Sequence, residues 1–350
     1  MKARINRNGQ DDSKRQEELR TKEMQRKLQT IENEFAKSYG FLPRTVVYAA
    51  FDREFNRQII TDYIAEQYYP LNLDMGLSFE EFRAAVVVQI GKEIEAELDA
   101  MEHNVSGYFR KQFPDKVFLF SNNLKHNMLV ARNTLKHETL HAGIYDLMHG
   151  KIPSLKIYKG KQHDDEFFRN LVTEHQMSPL VRNRNNMILK EIGQPDLVFQ
   201  LYSFEEEFVM FNTACSMLED EIKATNLNTD NVYNIVSIYL GSSGAQIKPR
   251  IDEMTVDVYG KQVPLKKYLK TYFDYLRGPV EGYDEKDKSI RAVLENFETT
   301  NVQFEDNGSK IPELLEELSE CLMRKQATKE NIRKIVNSFC AKYKIGPNYD

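Results

Sequence analysis

Cysteine is scarce in this chain. Cys215, Cys321 and Cys340 are the three cysteines among 350 residues, and no two of them form a Cys-x-x-Cys pair. So sparse and odd a set excludes a disulfide framework and a cysteine zinc ribbon, and it reads as reduced thiols inside a cell. Long apolar runs are missing as well, so no membrane span is expected. The opening stretch, MKARINRNGQDDSKRQ, has basic residues with no apolar core behind them and is not a secretory signal. The expectation is a soluble, cytoplasmic protein with no membrane partner. Positive charge is not in excess either. A formal net charge of -5 excludes a general polyanion binder, while a local basic face stays open. No internal repeat is visible.

What the chain has is apolar mass. Its hydrophobic fraction is 41%, with 20 Phe and 18 Tyr, enough to build the cores of two or three domains. Residues 1–40 read as a polar tail and a charged helix. The apolar positions Leu19, Met24, Leu28, Ile31 and Phe35 give that helix one narrow stripe. Val46 to Tyr68 reads as helix, ended by Pro70. Ser78-Phe79-Glu80-Glu81 is a capping-box start for the long helix that follows. Val117 to Phe120 is a short apolar run behind the Pro114-Asp115 turn signal, and it reads as a strand. A helix then runs to a stop at Gly150. After it come a loop of about ten residues and another helix near His163, with Asp164 or Asp165 as its cap. Residues 196–350 read as a mainly helical domain, with a small hairpin near 254–265 turning at Tyr259-Gly260.

The stretch with chemistry in it is KHETLHAGIYDLMHG, residues 136–150. It contains His137-Glu138-Thr139-Leu140-His141, the His-Glu-x-x-His pattern. On a helix, residues four apart share a face, so two imidazoles converge on one cation. Glu138 then stands beside the first ligand, near the cation but not bound to it. There it can take a proton from an activated water. The expected cofactor is Zn2+, with His137 and His141 as ligands and Glu138 as general base.

The third ligand sets the class. The metzincin pattern wants a Gly at position 144 and a His at 147, and this chain has Gly143 and His149 instead. A thermolysin-like site takes a Glu from a later helix. SFEEEFVMF offers Glu205, Glu206 and Glu207, but the commoner explanation of that run is the solvated edge of an amphipathic helix. The remaining candidate is GKQHDDEF, residues 160–167, where His163 stands at a helix start.

His137, Glu138, His141 and Ala142, followed by Gly160, His163, Glu166 and Phe167, resemble the motifs of the SprT-like metalloproteases. The preceding VFLFSNNL resembles that family's strand before its active-site helix, and the similarity covers roughly residues 45–195. It implies His163 as the third zinc ligand. It also implies a zincin-like core within an α+β, mostly helical chain, a small sheet packed on the active-site helix over residues 41–195. The implied activity is that of a zinc-dependent endopeptidase acting on a protein or peptide. DNA-associated proteins enter as substrates through the family alone.

Two basic stretches bear on partners. KIPSLKIYKGK carries Lys151, Lys156, Lys159 and Lys161 with Tyr158, and it is expected to rim the cleft and contact substrate or nucleic acid. KQVPLKKYLKTYFDYLR, residues 261–277, interleaves basic and aromatic residues as single-strand binders do, and as ordinary amphipathic helices also do. Tyr158 could also hydrogen-bond the tetrahedral intermediate, and His149 or His175 could orient substrate or stabilise the oxyanion. The alternative to an enzyme is a helical binding or structural protein that keeps a zinc-bound zincin-like scaffold. Glu138 argues against it, because a structural zinc site has no use for a base.

Overall fold

The computed structural model describes residues 5–69, 75–172, 174–175, 192–193, 204–242, 253–265, 267–268 and 302–346. The chain is mostly helical with small sheets. Among the described residues, no helix is long and apolar enough to cross a membrane. The chain divides into two compact units, Met1–Asp146 and Leu147–Asp350.

The first unit is built on a three-stranded sheet. Strands β1 (Thr45–Ala49), β2 (Gly107–Phe109) and β3 (Lys116–Phe120) lie in the order β1-β3-β2, with β1 parallel and β2 antiparallel to β3. Around it are α1 (Ile5–Tyr39), α2 (Arg53–Tyr68), α3 (Phe79–Asn104), the one-turn α4 (Ser121–Leu124) and α5 (Met128–Met148). Alternate side chains of β3 enter different cores. Val117 and Leu119 join Met24 and Leu28 of α1 and Ala131 and Leu135 of α5. Phe118 and Phe120 join Ile59 and Ile60 of α2 and Ile94, Leu98 and Met101 of α3. With both faces covered, the strand needs no polar alternation, which is why its sequence is an unbroken apolar run.

Position 46 marks a difference from the sequence reading. Val46 to Ala49 is strand, and the helix starts only at Arg53. Thr45-Val46-Val47-Tyr48 is β-branched and aromatic, a composition that favours a pleated, half-buried surface once a partner strand is present. Asp52 is the helix cap, its side chain accepting from Phe55 N at 3.0 Å. At Ser78 the expected capping box is present, with Ser78 and Glu81 bonded reciprocally.

The outer edge of β1 is closed by side chains rather than by a strand. Gln29 of α1 donates to Arg44 O at 2.8 Å and accepts from Val46 N at 2.9 Å. Gln25, one turn earlier, donates to Val46 O and accepts from Tyr48 N. Each amide has a donor and an acceptor on one plane, so two glutamines one turn apart reproduce a stretch of ladder.

The second unit holds β4 (Ser154–Ile157), a helical segment α6 (165–172), α7 (Phe204–Lys223) and α8 (Thr229–Ser242). It continues with β5 (Thr255–Val258), β6 (Lys261–Pro264), β7 (Gln303–Asp306), α9 (Ile311–Met323) and α10 (Lys329–Tyr343). Asp164 caps α6, accepting from Phe167 N at 2.8 Å. The hairpin β5–β6 lies where expected, with positive φ at Tyr259 and Gly260 as a type I′ turn requires. The expected loop after Gly150 contains a strand. β4 pairs in parallel with β7, a partner distant in sequence that local pattern cannot reveal. Helix α7 is buried on most sides, from Phe208 to Ile222. Most of the basic-aromatic stretch 261–277 lies outside the described residues.

Candidate metal centre

Helix α5 begins at Asn127, whose side chain accepts from Leu129 N and Val130 N. Its inward stripe is buried at Leu135, Leu140 and Ile144. His137, Glu138, His141 and Tyr145 lie together on a half-buried face. Two contacts hold the helix at this level. Arg44, itself buried, pairs with buried Asp146 and donates to Ala142 O at 3.3 Å. Gly143 lies against Phe41, closer than a β-carbon would allow.

The imidazoles converge as the spacing predicts. His137 Nε2 and His141 Nε2 are 3.2 Å apart, with ring centroids 4.8 Å apart. Two nitrogens bound tetrahedrally to one zinc at about 2.0–2.1 Å would be separated by about 3.3 Å. The pair thus has the spacing of a bidentate nitrogen site. Glu138 Oε2 accepts from Phe109 N, on the edge strand β2, at 2.8 Å. That bond orients the carboxylate and leaves its second oxygen for other work.

The third member is Glu206. One ligand atom each from His137, His141 and Glu206 lies within 4.8 Å of the other two, and this group could hold a metal ion. Two imidazoles and one carboxylate are a donor set that suits a divalent transition metal. The run Glu205-Glu206-Glu207 forms the first turn of α7, and all three are half-buried. A solvated helix edge, the sequence reading of that run, is not what is found.

His163 is not a member of that group. Its ring is buried at 2% exposure in an aromatic cluster. It stacks on Phe167 with centroids 4.3 Å apart and meets Phe211 edge-on at 4.7 Å. Gly160, three residues earlier, is held as closely, since a β-carbon there would lie 2.7 Å from the Phe211 ring. The Gly-x-x-His-x-x-x-Phe spacing is thus met by a packing motif, with Phe167 stacked on His163 and Gly160 making room for Phe211. Glu166, also in the quoted pattern, is exposed.

The lysine loop is placed as follows. Lys151, Lys156, Lys159 and Lys161 are exposed, and Lys161 pairs with Glu316 at 3.2 Å. Tyr158 is buried, its phenol donating to Glu219 and its backbone N to Asn212 Oδ1 at 2.8 Å. Lys159 and Lys161 line a cavity of about 500 Å³ with Lys310, facing Glu207, Asp306, Glu313, Glu316 and Glu320.

His175 is buried and bonded through Nδ1 to Glu205 Oε2 at 2.8 Å. Exposed His149 lies near it, with ring centroids 6.3 Å apart. No family model matches the chain, and no curated protein or solved structure matches it.

Proposed function

We propose that the chain is a zinc-dependent endopeptidase with a zincin-like core, whose metal ion would be held by His137, His141 and Glu206. The observation that carries this reading is the His137–His141 nitrogen pair at 3.2 Å with the Glu206 carboxylate in the same group. A divalent cation bound there would supply Lewis acidity and lower the pKa of a water molecule. The chain's own residues do the rest. Glu138, oriented by the Phe109 N–H, takes the proton from the attacking water and returns it to the leaving amine. The β2 edge and the half-buried face of α5 provide the surface on which a scissile bond is laid.

The resemblance to SprT-like metalloproteases supports a protein or peptide as substrate. The ligand set proposed here departs from it, with Glu206 in the place of His163. Contact with DNA-associated proteins rests on that resemblance alone.

Glu138→Gln is the test of the reaction. The variant should bind zinc as the wild type does and lose peptide hydrolysis by about 10²–10⁴-fold. A variant that still cleaves an unfolded protein at the wild-type rate would remove Glu138 as the base, and with it this mechanism.

A further inference from the structure

One cavity lies wholly in the second unit and shares no residue with the metal group. Its volume of about 500 Å³ is that of a small-ligand site. The walls are α7, α8, α9 and the loops that follow β4 and β7. Pro312, Leu315, Ser319 and Met323 recur every three or four residues, so one face of α9 is turned to the cavity. Glu207 and Phe211, four apart, do the same for α7. The buried side is apolar at Phe211, Leu240 and Leu315. One polar side chain is buried with them. Ser319 is 7% exposed, and its Oγ has no hydrogen-bond partner among the described residues. A serine inside a helix can bond back to a carbonyl of the preceding turn, and this one does not. A buried hydroxyl that lines a cavity and lacks a protein partner takes one from the cavity.

Charge sets the class of that partner. Three lysines and five carboxylates line the cavity. The lysines are all exposed, and two of them are matched at the rim, Lys161 by Glu316 at 3.2 Å and Lys310 by Glu313 at 3.6 Å. Glu207 is half-buried, where a carboxylate acts through less water than the exposed lysines do. Burial pushes the Tyr239 phenol up, with Cys215 and Glu207 adding to it, so that ring stays neutral. The Phe211 and Tyr239 rings, centroids 6.4 Å apart, add the π-faces that attract a cation. An anion would meet the Glu207 charge, and a purely apolar molecule would leave Ser319 unpaired. We propose that this cavity binds an alkylammonium ligand that carries a second N–H group. Glu207 supplies the opposing charge, and Ser319 Oγ accepts from a ligand N–H. Phe211, Leu240 and Leu315 cover the carbon chain. A free aliphatic diamine and a lysine residue of a peptide share this chemistry.

This inference does not depend on the hydrolase reading, and its test reads binding alone. The full chain is titrated by isothermal calorimetry with cadaverine and with N-acetyl-lysine methylamide. Pentanediol and glutarate serve as the uncharged and anionic chains. At least one amine should bind saturably, and about 10-fold or more tightly than pentanediol or glutarate. Tighter binding of cadaverine assigns the site to a free amine, and tighter binding of the lysine derivative assigns it to a peptide; either supports the cavity. Glu207→Gln should weaken the amine by about 10-fold, since a charge-assisted bond is lost. Ser319→Ala, which keeps the cavity open, should weaken it by about 5-fold. Lys161→Gln should bind the amine at least as tightly as wild type, whereas an anion site would be weakened by it. Glutarate binding as tightly as the amines overturns the inference. So does the absence of saturable binding by either amine. Amine affinity unchanged in both folded variants, Glu207→Gln and Ser319→Ala, places the ligand elsewhere and overturns it as well.

Discussion

Gly143 is the residue of α5 with the least room to change. A β-carbon there would come within 2.8 Å of the Phe41 ring, with two more ring carbons at 3.1 and 3.2 Å. The ring is itself buried between Phe35 and Tyr39, so it cannot swing aside freely. Gly143→Ala should destabilise the protein by about 1–3 kcal/mol in urea unfolding, and Phe41→Leu should recover part of that loss. An alanine variant as stable as wild type would mean that the ring yields at no cost. At this scale the sequence was most readable where geometry is local. His137 and His141 are one turn apart on any helix, so their convergence follows from spacing alone. Glu206 could be named only as one of three acids in a run, since its placement depends on tertiary packing. His163 lies in a buried ring stack, and a glycine, a histidine and an aromatic at family spacing can also serve such a stack.

Elements were legible in proportion to how local their causes are. The Ser78 capping box, the β3 run and the Tyr259-Gly260 turn are written in a few adjacent residues, and each lies where expected. β1 and β4 were missed because each is a strand only by virtue of a distant partner, β3 and β7. The way α1 closes the β1 edge was not readable either, since Gln25 and Gln29 look like ordinary solvated positions. An unpaired strand edge is a template for association with other chains. Replacing both glutamines with alanine should therefore lower stability by roughly 1–3 kcal/mol and increase self-association in analytical ultracentrifugation. A double variant that stays monodisperse and loses no stability would show that α1 covers the edge by bulk alone.

At the scale of the molecule, stability should depend on pH through one buried acid. Glu32 of α1 accepts from Arg44 N at 2.6 Å, and its other oxygen is buried with no hydrogen-bond partner among the described residues. Burial pushes its carboxyl up to about 7, against the smaller opposing pull of Arg44. A raised acid favours the protonated fold. Its contribution is complete below the unfolded value near 4.5 and is lost as pH rises through about 7. Glu32→Gln cannot ionise. The stability of wild type relative to this variant should therefore fall between pH 5 and pH 8, by up to about 3 kcal/mol, in urea unfolding at the two pH values. A constant difference would mean that Glu32 ionises in the fold without cost.

The most direct test of the account is zinc stoichiometry by elemental analysis, after reloading and gel filtration, for wild type, Glu206→Ala and His163→Ala. The account predicts about one zinc per chain for wild type and His163→Ala, and a loss of most of it for Glu206→Ala. Zinc retained in full by Glu206→Ala and lost by His163→Ala would contradict it, and would return the third ligand to the histidine that the sequence singled out.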